Sequence, residues 1–137
     1  MANTIRDVMS TDPAVCPATA SIEQAAQLMR DRDIGDVLVT DNDRLCGLVT
    51  DRDIVVRAVA AGATSARLSD ICSSEVVTVA PDDPIAKAVK IMRDRAIRRL
   101  PVVENGSPVG FVSIGDLAIE SDGESALADI SAASPNN

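Results

Sequence analysis

Two stretches of this 137-residue sequence set a hydroxyl three positions ahead of a carboxylate, each directly after an apolar run. Thr50-Asp51-Arg52-Asp53 follows Gly47-Leu48-Val49, and Ser113-Ile114-Gly115-Asp116 follows Gly110-Phe111-Val112. Ser/Thr-x-x-Asp has the form of a helix N-cap with an acidic third position, worth about 0.5–2 kcal/mol as structure alone. A carboxylate so placed also suits a vicinal diol, from which it accepts two hydrogen bonds. The free N–H groups of a helix start suit phosphate. Spacing leaves both roles open, and they are compatible. The second concentration is cationic. Arg93, Arg95, Arg98 and Arg99 place four of the 13 basic residues within seven positions. That cluster is either a solvated, salt-bridged face or a seat for an anion, a phosphate or the chain's own acidic end. Planar guanidinium donors match phosphate oxygens.

Other chemistries lack their parts. The chain has no His, which removes the usual general base and leaves a zinc site almost nothing to build from. It carries no P-loop, no Gly-x-Gly-x-x-Gly and no thiol with a paired base. Asp51 and Asp53 stand close in sequence, but their pairing suggests no reaction. Cys16, Cys46 and Cys72 are odd in number without Cys-x-x-Cys spacing and read as reduced structural thiols. The net charge is −8, and no Lys or Arg follows Arg99, whereas Glu104, Asp116, Glu120, Asp122, Glu124 and Asp129 do. An acidic chain with one Phe and no Tyr or Trp argues against nucleic acid and against anionic membranes. Residues 1–6 lack a hydrophobic signal region, and no apolar run is long enough to span a bilayer. A soluble, cytoplasmic protein is expected.

What must position these residues is a duplicated α/β unit. Met29-Arg30-Asp31-Arg32 returns unchanged as Met92-Arg93-Asp94-Arg95, an offset of 63 residues (92 − 29). The same offset links Asp7 to Asp70, Ile34 to Ile97, Gly47 to Gly110, Val49 to Val112 and Asp53 to Asp116. Two copies imply a paired, pseudo-symmetric domain, not a solenoid. A lone copy of this size buries only about 60% of its unfolded surface and is marginal.

Each copy opens with a short strand (Ala14-Val15-Cys16; Val76-Val77-Thr78-Val79). A helix follows, begun by a Ser21/Gln24 capping box in the first copy and by Asp83 as N-cap with Pro84 at N1 in the second. Ile22, Ala25, Ala26 and Met29, and Ile85, Ala88, Val89 and Met92, form core-facing stripes. A hairpin comes next, turning at Asp41-Asn42-Asp43 and at Asn105-Gly106. A second helix runs from Thr50 to about Ala61, with Gly62 as a left-handed cap, and its counterpart starts near Ser113. The domain reading is therefore repeat 1 over 1–61, a linker over 62–67, repeat 2 over 68–119 and an acidic, partly disordered tail over 120–137.

The order strand, helix, hairpin, helix, with Gly-hydrophobic-Val-Ser/Thr-x-x-Asp after the hairpin, resembles the CBS domain family, named for cystathionine β-synthase. Gly47-Leu48-Val49-Thr50-Asp51-Arg52-Asp53-Ile54, Gly110-Phe111-Val112-Ser113-Ile114-Gly115-Asp116-Leu117 and Ile97-Arg98-Arg99-Leu100-Pro101-Val102-Val103 carry the likeness, which covers about residues 4–119. It looks like a stand-alone bacterial CBS pair. The resemblance implies an α/β (α+β) fold of two β-α-β-β-α repeats, packed sheet to sheet as one pseudo-twofold module that forms a homodimer. It implies clefts for AMP, ADP, ATP or S-adenosylmethionine, bound as regulatory ligands and not as obligatory cofactors.

Carried over residue by residue, Asp116 would hold the ribose hydroxyls. Ser113 would lie beside the ribose or phosphate, Arg98 and Arg99 would meet the phosphates, and Thr78 would sit near the base. Asp53 and Thr50 would serve the first repeat. Ile97, Val102 and Val112 would offer aliphatic walls to the base. The first repeat departs from the pattern: Gly35-Asp36-Val37-Leu38 stands where the second has Arg98-Arg99-Leu100-Pro101, and Val15 stands where it has Thr78. Arg52 and the neighbouring copy would compensate in part, and the Asp116 cleft is expected to be the tighter. The resulting function is a non-enzymatic sensor whose dimer arrangement is read by a regulated protein. The alternative is a structural dimerisation or interaction module with vestigial clefts.

Overall fold

The computed structural model describes residues 3–120. In chain order a 3₁₀ turn at Ile5–Asp7 leads to β1 (Ser10–Thr11), β2 (Val15–Pro17), α1 (Ile22–Arg32), β3 (Asp36–Asp41) and β4 (Arg44–Thr50). Next come α2 (Asp51–Asp53), continued by a π-helical stretch Ile54–Val59, then α3 (Leu68–Ile71), α4 (Ile85–Arg95), β5 (Arg99–Glu104), β6 (Ser107–Ser113) and α5 (Ile114–Glu120). These elements form two compact units. The first comprises residues 13–76 with 106–108, the second residues 3–12, 77–105 and 109–120. Sheet order is β2-β3-β4 in one and β1-β6-β5 in the other.

In the first unit the Ser21 box forms as the sequence predicts. The Gln24 N–H donates to Ser21 Oγ at 3.1 Å, and the Ser21 N–H donates to Gln24 Oε1 at 2.9 Å. Ile22, Ala25 and Met29 are buried on α1, but Ala26 is exposed and Leu28 flanks the stripe instead. The helix closes at Asp33 (φ 54), with the Ile34 N–H reaching back to the Met29 carbonyl at 3.0 Å. β2 runs parallel to β3, and β3 antiparallel to β4. Asn42 and Asp43 both have positive φ (52 and 65), the tight turn whose twist matches the hairpin. Val37, Val39, Val49, Ala58 and Leu68 have no exposed surface. They remove roughly 1.5–3 kcal/mol worth of apolar surface from water for each large side chain.

In the second unit Ile5 is fully buried among Val79, Ala88, Met92, Leu100, Val102, Val112 and Leu117. The Ile5 N–H donates to the Asp83 carbonyl at 3.0 Å, and β1 pairs antiparallel with β6, Ser10 opposite Phe111 and Thr11 opposite Gly110. Only glycine fits at position 110, because an added Cβ would collide with the Ser10 carbonyl oxygen.

Three further expectations change in detail. The strand at 76–79 is reduced to one parallel bridge, Val79 with Val102. The Val79 N–H donates to the Pro101 carbonyl at 3.1 Å and the Val103 N–H to the Val79 carbonyl at 2.8 Å. The next bond of the ladder would need an N–H at position 101, which proline lacks. In the first unit the equivalent bond exists, Leu38 N–H to Ala14 carbonyl at 2.9 Å. Asp83 is not the N-cap of α4; Pro84, extended at ψ 149, holds that position, opposite Ser21 in the repeat. Asp83 instead accepts from the Ala80 N–H at 2.8 Å and pairs with Lys87 Nζ at 3.1 Å.

The helix expected over residues 50–61 is π-helical from Ile54 to Val59, with the Ala60 N–H bonding the Val55 carbonyl five residues back at 2.9 Å. Gly62 has the left-handed φ of 68 expected of it. The expected disorder of the acidic tail falls on residues 121–137, outside the described residues.

Candidate functional site

Both units present one backbone frame where the second hairpin strand passes into a helix. In the second unit the Ile114 N–H donates to the Arg98 carbonyl at 2.9 Å; in the first the Asp51 N–H donates to the Gly35 carbonyl at 3.0 Å. The capping boxes on these frames match as well. The Ser113 N–H donates to Asp116 Oδ2 at 2.8 Å and the Asp116 N–H to Ser113 Oγ at 3.2 Å. The Thr50 N–H donates to Asp53 Oδ2 at 2.9 Å and the Asp53 N–H to Thr50 Oγ1 at 3.0 Å. The structural role of both motifs is therefore realised. Each carboxylate lends one oxygen to the cap, and an ionised carboxylate has about four lone-pair sites, so acceptor capacity remains. Asp53 Oδ1 lies 3.7 Å from Arg57 Nε, which partly occupies it.

The frame brings Arg98, Ser113 and Asp116 together. Arg98 is exposed, while Ser113 and Asp116 are half-buried. Arg99 takes a place the sequence did not disclose: its guanidinium carbon lies 4.1 Å from the centroid of the Phe111 ring. That cation–π contact orients the side chain on the chain's single aromatic residue. Thr78 is half-buried, one residue ahead of the Val79 bridge. Val102 and Val112 are not available as walls for a base, because both are fully buried in the core. Ile97 remains, half-buried.

In the first unit Asp36 is the cross-strand partner of Thr50. Arg52 is exposed, and its N–H donates to Asp51 Oδ1 at 2.8 Å. Asp36 and Asp51 thus join Thr50 and Asp53, a grouping that the missing guanidinium at position 35 hinted at and the hairpin register completes. The three thiols are free, Cys16 buried, Cys72 half-buried and Cys46 exposed, and burial is the main cause that raises each above its ordinary pKa. Among the described residues no three His, Cys, Asp or Glu side chains are placed to hold a metal ion. No described helix is long and apolar enough to cross a membrane.

Two strand-helix-hairpin-helix units, each with Ser/Thr-x-x-Asp capping the helix after the hairpin, define the class. The chain belongs to the CBS domain family, whose profile matches it twice, at residues 5–59 and 68–122. It is 36% identical over 118 residues to the CBS domain-containing protein YhcV of Bacillus subtilis, covering 85% of this chain and 84% of that one. Among solved structures it is similar to Hypoxic Response Protein I with two coordinated zinc ions, at a TM-score of 0.77 and 31% identity, covering 86% of this chain and 98% of that one. It is also similar to the CBS domain pair of protein MJ0100 in complex with 5′-methylthioadenosine and S-adenosyl-L-methionine. There the TM-score is 0.74 and the identity 25%, over 88% of this chain and 97% of that one.

Proposed function

We propose that this CBS pair is a non-catalytic, cytoplasmic sensor that binds an adenosyl ligand, AMP, ADP, ATP or S-adenosylmethionine, and passes its occupancy to a regulated protein through a homodimer. The observation that carries the reading is the Asp116 carboxylate, half-buried and oriented by the Ser113 N–H, with Arg98 joined to the same helix start. That arrangement offers an acceptor for ribose hydroxyls next to donors for phosphate. The adenosyl complex of the MJ0100 pair supports the ligand class. Self-association draws support from the helix after Asp53, where Val55, Val56 and Val59 are 58%, 50% and 58% exposed. Apolar side chains so concentrated favour a covering surface.

The second reading, a structural module with vestigial sites, draws on the same carboxylates, since both already serve as caps. Asp116→Asn separates the two. Asparagine keeps an oxygen for the Ser113 N–H but loses the charge and half the acceptor capacity that a diol uses. A ligand at about a hundredfold over its dissociation constant stabilises the folded state by about 2.7 kcal/mol. Thermal unfolding with each of the four ligands should show that rise for the intact chain and little of it for Asp116→Asn. No rise with any of them would leave the structural module standing.

A further inference from the structure

We propose that residues 3–12 form an exchangeable arm, docked in the homodimer on the second unit of the partner chain in place of their own. The inference rests on the homodimer reading above and names how the two copies are joined. The arm is a built part of that unit's core. Ile5 has no exposed surface and lies in one cluster with Val79, Met92, Leu100 and Leu117. The Ile5 and Arg6 N–H groups donate to the Asp83 and Pro81 carbonyls at 3.0 and 2.8 Å. Arg6 pairs with Asp82 at 3.4 Å and with Glu104 at 2.9 Å, and β1 lies along β6 with Ser10 opposite Phe111. A second unit without an arm would keep a cavity at the Ile5 position and unmade hydrogen bonds around it, so the arm of one chain or the other must fill it.

One junction, Asp12–Pro13, links the arm to the rest of the chain, and there the two units divide. Asp12 has a φ of 59. A residue with a Cβ is crowded in that conformation. The ring of a following proline also pushes its predecessor to extended backbone, at a φ of about −120°. Both preferences at position 12 oppose the folded-back form. In an exchanged pair every arm contact is kept, made with the other chain, and the junction opens to the extended backbone that proline favours. The balance between closed and exchanged forms therefore sets relief of the junction against the entropy of association, and short strained hinges tip it to exchange. β6, on which the arm lies, leads into Ser113 and Asp116, with Phe111 just ahead of them. The partner's arm thus borders the strand that leads to the proposed ligand carboxylate, which gives occupancy a route to the second copy.

Engineered thiols in the full chain test this. Thr4 and Pro84 face each other in an antiparallel bridge. Such partners have Cα atoms about 4.5–5.5 Å apart, within the span of a disulfide. Thr4→Cys with Pro84→Cys is made in a chain whose own thiols are replaced by Cys16→Ala, Cys46→Ser and Cys72→Ala. It is oxidised at a concentration where light scattering gives a dimer. Exchange predicts a covalent dimer on a non-reducing denaturing gel, and either new cysteine alone should give none. An internally closed monomer from dimeric protein would overturn exchange and leave the homodimer reading standing. Protein that stays monomeric at every concentration would overturn both. Pro13→Ala reads the same balance without engineered thiols. Relief of two junctions per dimer, each by roughly threefold, should weaken dimerisation by about tenfold. Unchanged dimer dissociation in that variant, with its circular dichroism intact, would overturn exchange as well.

Discussion

Asp53 and Asp116 each accept a backbone hydrogen bond through one oxygen, so stability and the proposed ligand contact share the same side chain. Removing the hydroxyl partner isolates the structural share. Ser113→Ala and Thr50→Ala should each lower stability by about 1 kcal/mol, read as a fall in the urea midpoint at unchanged slope. A second residue-scale consequence concerns acid. Asp83 is held below the ordinary carboxylate range, first by the Ala80 N–H and then by Lys87. A depressed folded-state pKa contributes stability that is present above the unfolded value, near 4, and is lost as pH falls through the folded one. Asp83→Asn should therefore lower stability at pH 7, where the ionised carboxylate contributes, and flatten the acid side of the stability profile between about pH 5 and 2. Urea midpoints across that range check it, and an unaltered acid slope would refute it. The boxes were legible because Ser/Thr-x-x-Asp encodes its own geometry. The stack of Arg99 on Phe111 was not, since it joins adjacent strands through side-chain direction. Val102 and Val112 were misread as walls because Leu100-Pro101-Val102-Val103 is apolar on both faces, and alternation then gives no sign of which face is covered.

At the scale of elements, the two copies obey one plan and differ where single residues alter the backbone. Pro101 ends a ladder that Leu38 continues in the other unit, a difference readable in principle because proline's missing N–H is a property of sequence. The N-terminus of α4 was less legible: Asp before Pro resembles a cap, yet Asp83 turns back to Ala80 and leaves Pro84 at the boundary. The C-termini of α1 and α4 end alike, in left-handed Asp33 and Ala96, each with φ 54. Asp tolerates that conformation better than Ala, whose Cβ crowds the following carbonyl. Relief of that strain outweighs the added freedom glycine gives the unfolded chain, which is worth about 0.4–1 kcal/mol. Ala96→Gly should thus stabilise the protein by about 0.5–1 kcal/mol, seen as a higher urea midpoint. A lower midpoint would show that Ala96 is not strained.

For the whole molecule, the division by repeat and the division by packing are different. The 63-residue offset identifies which residues are equivalent, but it is silent on which body a terminal segment joins. Residues 3–12 precede the first repeat's strand, yet they belong to the second unit: Ile5 is fully buried in its core, the Ile5 and Arg6 N–H groups bond the Asp83 and Pro81 carbonyls, and β1 completes the sheet along β6. A body of about fifty residues has only a few kcal/mol of stability to lose. Loss of a buried isoleucine alone costs about 2–5 kcal/mol, before the β1 hydrogen bonds are counted. The fragment 68–137 should consequently lack a cooperative unfolding transition by itself, although it contains a complete sequence repeat. A peptide of residues 1–12 added in trans should restore the transition in a concentration-dependent way, and the same peptide with Ile5→Ala should not. Circular dichroism through a urea titration decides it. Cooperative unfolding of 68–137 alone, indifferent to the peptide, would show that the repeat is self-sufficient and that the N-terminal segment only decorates it.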